Sequence, residues 1–140
     1  MHAFFTRNPS IIIFYPSAKA GSTIHGHYCC LSRNPKRRTF FFYDPLAYNI
    51  DEYKKFALHR TELYKEKQNS LVRGLLASGW ACDYNTHQHQ SRKSEIATCG
   101  RHSAVRASFP ELTNDQYNRL LYIFENKRGL KDRLIVKVTE

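Results

Sequence analysis

The chain has no run of 18 or more apolar residues, which excludes a membrane-spanning helix of ordinary length. It has no Cys-x-x-Cys pair, and its four cysteines (Cys29, Cys30, Cys82, Cys99) and its histidine strings, "HGHYCC" and "HQH", match no zinc-ligand spacing. Adjacent Cys29 and Cys30 would face opposite sides of a strand and do not easily share an ion, so no metal site is expected. No repeat, low-complexity tract or linker interrupts the chain, so residues 1–140 are expected to form one domain. The opening "MHAFFTRNPSIIIFYP" lacks the long apolar core and small-residue cleavage site of a secretory signal, and Pro9 interrupts it. With free cysteines, this predicts a reducing compartment and a protein that is not secreted.

Acidic residues are scarce: 12 against 22 lysines and arginines, for a net charge of +10. That balance favours an anionic partner, most commonly nucleic acid, over a merely solvated basic surface. The basic residues lie in separate clusters at Arg33, Lys36, Arg37 and Arg38, at Lys65–Lys67 and at Arg92–Lys93. This is the pattern of a charged face on a folded domain, with Arg33, Lys36, Arg37 and Arg38 as the candidate nucleic-acid contacts. The hydrophobic content of 41% is enough for a proper core.

Along the chain, "SIIIFYP" predicts a buried strand closed by Pro16, followed by an "AKAGST" loop. "HGHYCCLSR" and "RTFFFYD", joined at "NPKR", predict a hairpin of Gly26–Ser32 against Arg38–Tyr43. Asn49 with Glu52 is a capping-box signature for a helix over about 51–67, and a second helical piece over 70–77 stops near Gly79. "WACDYNTHQ" has strand character, and "HQSRKSEIA" is a polar loop. A helix begins at Cys99, with Ala104, Val105 and Phe109 at apolar spacing. Thr113 with Gln116 opens another helix, to about Asn126, placing Tyr117, Leu120, Leu121 and Phe124 inside. "LIVKV" reads as a final edge strand, and the order of elements is that of an α+β fold.

Cys99 stands at a helix N-terminus, where unpaired N–H groups and the helix dipole favour a thiolate. It is either a nucleophile or a small buried hydrophobe. Three further groups precede it in a definite order: His27 on a strand, Asp44 at the end of the next strand, and Gln90 in the polar loop. Facing antiparallel strands bring side chains to within about 5 Å, so Asp44 can hold one nitrogen of His27 and leave the other for sulfur. Gln90 can supply an oxyanion donor beside the backbone N–H of Cys99. Gln88 is the alternative donor, and His25 is the rival base. Gly100 admits a substrate backbone close to the sulfur.

"GHYCCLSRNPKRRTFFFYDPLAYNID" resembles the "GHW" strand and "F(D/E)P(F/L/Y)G" strand end of the adenovirus endopeptidase and Ulp1-like family of cysteine proteases, and "Q…TCGRHSAVR" resembles its Gln-then-Cys-Gly block. Within that family it is most similar to maturation proteases of virophages, Polinton-type elements and large DNA viruses, over about residues 11–109. The resemblance implies a papain-like, adenain-like α+β core: a largely antiparallel central sheet, surrounding helices, and the nucleophile at a helix N-terminus. The implied roles are His27 as base, Asp44 as orienter, Gln90 as oxyanion donor and Cys99 as nucleophile, with Gly26, Tyr28 and Gly100 along the substrate groove. Tyr28 stands where the family has Trp, Ala47 where it has Gly, and Gln90 lies nine residues before Cys99 where the family has six or seven.

The expected activity is cysteine endopeptidase cleavage of viral capsid precursors, by a monomer in the virion, host cytoplasm or viral factory. No cofactor is expected beyond genomic DNA as an activating polyanion. The alternatives are a ubiquitin- or SUMO-like protein deconjugase of the same fold and a non-enzymatic basic nucleic-acid-binding domain.

Overall fold

A computed structural model describes residues 8–20, 23–48, 74–91, 98–125 and 130–140. Its elements are β1 (Ser10–Ala20), β2 (Thr23–Asn34), β3 (Thr39–Tyr43), β4 (Ala81–Tyr84), α1 (Cys99–Ala107), α2 (Asn114–Glu125) and α3 (Asp132–Val138). The four strands form one sheet in the order β1-β2-β3-β4. β1–β2 and β2–β3 are antiparallel, whereas β3–β4 is parallel, so the α+β expectation holds with a mixed sheet.

Alternation along β1 and β2 sorts side chains between the faces of the sheet. Tyr15, Cys29, Leu31, Phe40, Phe42 and Leu75 pack on one face. Cys30 and Tyr43 meet Tyr117, Leu121 and Ile135 of the helical layer on the other. β3 is interior to the sheet and lies between these cores, which accounts for its unbroken run "TFFFY".

Several boundaries depart from the sequence reading. β1 continues through Pro16 to Ala20, and most of the expected "AKAGST" loop joins the β1–β2 ladder. The register shifts between Pro16 and Ala18, an irregularity that accommodates a proline on an edge strand. The β2–β3 hairpin pairs only Cys30–Asn34 with Thr39–Tyr43, and residues 26–29 pair with β1 instead. β3 cannot extend because Pro45 has no N–H to give the ladder. The expected helix over 51–67 and residues 70–73 of the second piece lie outside the described residues, as do Lys65–Lys67 and Arg92–Lys93. The described helical turn at 74–77 stops before Gly79, which takes a positive φ of 70°.

"LIVKV" is not a strand but most of α3. Ile135 is buried in the helical-layer core, Leu134 packs beside it, and the backbone N–H of Lys131 bonds the carbonyl of His89 at 2.7 Å. This docking outweighs the weak β preference of Ile and Val. The Thr113 capping box forms in both directions: Thr113 Oγ1 accepts from the Gln116 N–H at 3.1 Å, and Gln116 Oε1 accepts from the Thr113 N–H at 2.9 Å. On α2, Tyr117 and Leu121 are buried, but Phe124 points outward, contrary to expectation.

The buried stripe of α1 is polar: Cys99, His102, Ser103 and Arg106. Ala104, expected on the apolar face, is exposed, and Val105 and Phe109 are half-buried. Arg106, 0% exposed, explains how such a stripe is stable. Its guanidinium donates to Asn114 Oδ1 at 3.1 Å, the Phe109 carbonyl at 2.7 Å and the Leu112 carbonyl at 2.8 Å, and stacks 5.1 Å from the Tyr117 ring. It therefore satisfies the carbonyls of the α1–α2 turn from inside the fold. Arg106→Met is expected to destabilise the protein by about 3 kcal/mol, because one buried and two partly buried acceptors lose a charged donor. Urea unfolding with an unchanged midpoint would refute this role.

Candidate active site

β2 carries His27 at the level of Tyr15 on β1, beyond the end of β3. Asp44 follows β3 directly and is fully buried. Its position is fixed by its own backbone: the Asp44 N–H donates to Asn85 Oδ1 at 2.8 Å, and Asn85 Nδ2 donates to the Asp44 carbonyl at 2.6 Å. Asp44 Oδ1 accepts from the Leu46 N–H at 2.8 Å and contacts His27 Nε2 at 2.7 Å. The turn closes with an Ala47 N–H bond to the Asp44 carbonyl at 2.8 Å. Ala47, where the resembling family has glycine, adopts a glycine-like φ of 62°.

With Nε2 on Asp44, Nδ1 of His27 is left for sulfur. The ring hydrogen-bonds the thiols of both Cys99 and Cys29. Burial pulls the imidazole towards its neutral form, but Asp44 and the two sulfurs overcome this and raise its pKa from 6.5 to about 12. The two thiols then part. Burial pushes Cys29 up to about 12 despite His27, so it stays a neutral thiol. For Cys99 burial also works against ionisation, yet the His27 hydrogen bond and the backbone N–H groups of Tyr28 and Gly100 prevail and lower its pKa below the ordinary thiol value. No side chain caps α1, and no acidic residue occupies its first turn, so the helix start remains electropositive.

Gln90 is buried beside this centre. Its N–H and that of His89 both donate to the carbonyl of Pro45, at 2.9 and 2.8 Å. Its side-chain Oε1 is buried without a hydrogen-bond partner. Gln88, the alternative donor, uses Nε2 on the Gln90 carbonyl at 2.8 Å and thus supports the loop. The side chain of His25, the rival base, lies outside the described residues. Tyr28 is exposed and stacks on Phe14 with ring centres 4.7 Å apart, and a Cβ built on Gly100 would lie 3.5 Å from the Tyr28 ring. At Gly26 a Cβ would stand 2.6 Å from Phe14 Cζ, so glycine permits β1 to approach. At the far end of the hairpin Lys36, Arg37 and Arg38 are exposed, and Arg33 lies 5.3 Å from the Trp80 ring.

Two participants were not read from the sequence. Asn85 anchors Asp44 across the β3–β4 side of the sheet, a parallel neighbour that no local pattern announces. Cys29 shares the face of His27 two residues along β2, so strand periodicity could have found it. One donor atom each of His27, Cys29 and Asp44 lies within 4.8 Å of the others. Spacing along the chain did not announce this cluster. Asp44 Oδ1 is shared between His27 and the Leu46 N–H, the arrangement that orients an imidazole.

The chain is 30% identical over 118 residues to Uncharacterized protein V9 of Sputnik virophage, an alignment covering 82% of this chain and 66% of that protein. The chain thus spans just under two thirds of the length of its relative, and the likeness is to a protein of viral origin. No protein-family profile and no solved structure matches the chain. No helix among the described residues is long and apolar enough to cross a membrane.

The electrostatics give a pH prediction. Iodoacetamide alkylation of Cys99 should titrate with a midpoint below the ordinary thiol value of 9.0, and Asp44→Asn should move it upward because a less cationic His27 stabilises the thiolate less. The stabilisation from holding His27 charged is complete below 6.5 and declines as the pH rises towards about 12. Alkylation with the midpoint of a free thiol in the wild-type chain would contradict the ion-pair geometry.

Proposed function

We propose that the protein is a cysteine endopeptidase acting on viral structural precursors, with Cys99 as nucleophile, His27 as general base and acid, and Asp44 as the group that orients His27. The observation that carries this reading is the 2.7 Å His27–Asp44 bond combined with a thiol at a helix start, drawn down by the same imidazole. The likeness to a virophage protein supports a viral substrate.

In this mechanism the Cys99 thiolate attacks the scissile carbonyl. The helix-start N–H groups receive the oxyanion, and Gln90 is the side-chain candidate for the second donor. The imidazolium then gives its proton to the leaving amine, and water hydrolyses the thioester with His27 as base. Cys29 takes no part, because its thiol stays protonated. The papain-like arrangement implied by the sequence resemblance belongs to this proposal.

Full-length protein incubated with the capsid precursor of its own virus should cut at discrete sites, and Cys99→Ala should abolish cutting while leaving the protein folded. Cleavage that survives Cys99→Ala, or cutting of a ubiquitin-like precursor with the capsid protein intact, would refute the reading.

The net charge of +10 and the exposed turn Lys36–Arg38 support a second contact, with genomic DNA. Its affinity for duplex DNA should fall steeply with salt, roughly tenfold or more between low and moderate ionic strength if several phosphates are neutralised. Salt-independent binding, or none, would remove DNA from the scheme.

A further inference from the structure

We infer that Asp132 is a positioning residue, whose carboxylate locks the loop carrying Gln90 to the helix that carries the nucleophile. Its catalytic consequence rests on the endopeptidase reading; the lock itself does not.

Asp132 lies more than 30 residues beyond Cys99 in sequence, at the start of α3, yet its two oxygens reach both sides of the site. Oδ2 accepts from the Ser91 N–H at 2.7 Å. Oδ1 accepts from Thr98 Oγ1 at 2.5 Å and contacts His102 Nε2 at 3.0 Å. Thr98 directly precedes Cys99, and His102 follows it by one turn on the buried face. Ser91 directly follows Gln90. One carboxylate therefore joins the two ends of the segment between Ser91 and Thr98.

The neighbouring bonds tighten the same joint. The Lys131 N–H donates to the His89 carbonyl at 2.7 Å, so residues on both sides of Gln90 are tied to the start of α3. From the opposite side, the Pro45 carbonyl takes the N–H groups of His89 and Gln90, one residue from Asp44. The Gln90 backbone is thus held between Asp44–Pro45 and Lys131–Asp132. A carboxylate suits this place because it only accepts, and it meets three donors here. An asparagine offers one oxygen and turns an N–H₂ group towards a donor.

The groups that draw the Cys99 pKa down are His27 and the N–H groups of Tyr28 and Gly100, whereas Asp132 bonds Ser91, Thr98 and His102 and none of these. Its removal should therefore spare thiolate formation and damage acyl transfer. The test compares wild type, Asp132→Asn and Thr98→Val, with active sites titrated by a thiol-directed electrophile. The expected result for Asp132→Asn is a kcat per titrated site lowered roughly tenfold or more, the cost of a misplaced catalytic group, with KM within about twofold and an unshifted pH profile for Cys99 alkylation. Thr98→Val, which deletes one of the three donors at nearly constant volume, should show the same pattern at smaller size and serves if Asp132→Asn does not fold. An unchanged kcat, or a kcat loss tracked by an equal shift of the alkylation profile, would overturn the assignment. Amide exchange at Ser91 separates the two readings. It should quicken at least tenfold in Asp132→Asn, even in a chain that labels at Cys99 and cleaves nothing, the outcome that sinks the peptidase alone. Unchanged exchange sinks the lock.

Discussion

The site depends on one partly buried hydrogen bond, from the ring of His27 to the carboxylate of Asp44. Burial alone would make the imidazole neutral. The fold prevents this by feeding Asp44 from several directions, with Leu46 donating to its carboxylate and Asn85 holding its backbone on both sides. The imidazole beside this carboxylate stays a cation. The state of both sulfurs follows. Cys29, sealed in the sheet core, is pushed up to about 12, whereas Cys99, at the helix start with backbone donors around it, is drawn below the ordinary thiol value. Two identical side chains beside one imidazole are thus shifted in opposite directions by their surroundings.

The helical layer is arranged around the same requirement. α1 turns a polar stripe inward, which an apolar core could not accept without partners. Arg106 finds its partners in the α1–α2 turn and His102 finds Asp132, whereas the Ser103 hydroxyl is buried without a hydrogen-bond partner. His89 completes the network, bonding the Tyr43 hydroxyl and Asn118 Oδ1, both at 2.8 Å, while its ring stacks on that of His102. Burial lowers its pKa to about 4, so at neutral pH it serves as an uncharged link between the sheet and α2. Such polar contacts fix the direction of a helix more sharply than apolar contacts alone, and this helix begins at Cys99.

The likeness to a virophage protein and the α+β architecture agree with each other without deciding chemistry. Chemistry enters through the side chains. An imidazole, a carboxylate and an ionisable thiol converge from β2, the end of β3 and the start of α1. Gln90 reaches the neighbourhood through its backbone bond to Pro45. This convergence of distant elements is what the proposed acyl transfer requires.

The sequence by itself determined what short-range physics controls. The β2–β3 hairpin, the Thr113 capping box and the helix beginning at Cys99 each rest on residues within a few positions of one another, and the order His27, Asp44, Gln90, Cys99 is read directly along the chain. Tertiary structure decided the rest. The parallel pairing of β4 places Asn85 behind Asp44, the docking of Ile135 makes a helix of "LIVKV", and the inward stripe of α1 is polar because acceptors from α2 and α3 await it. Asp132 could not be singled out from sequence at all. Its three donors come from segments 30 to 41 residues away, and only the closed chain supplies the proximity that gives a carboxylate its work.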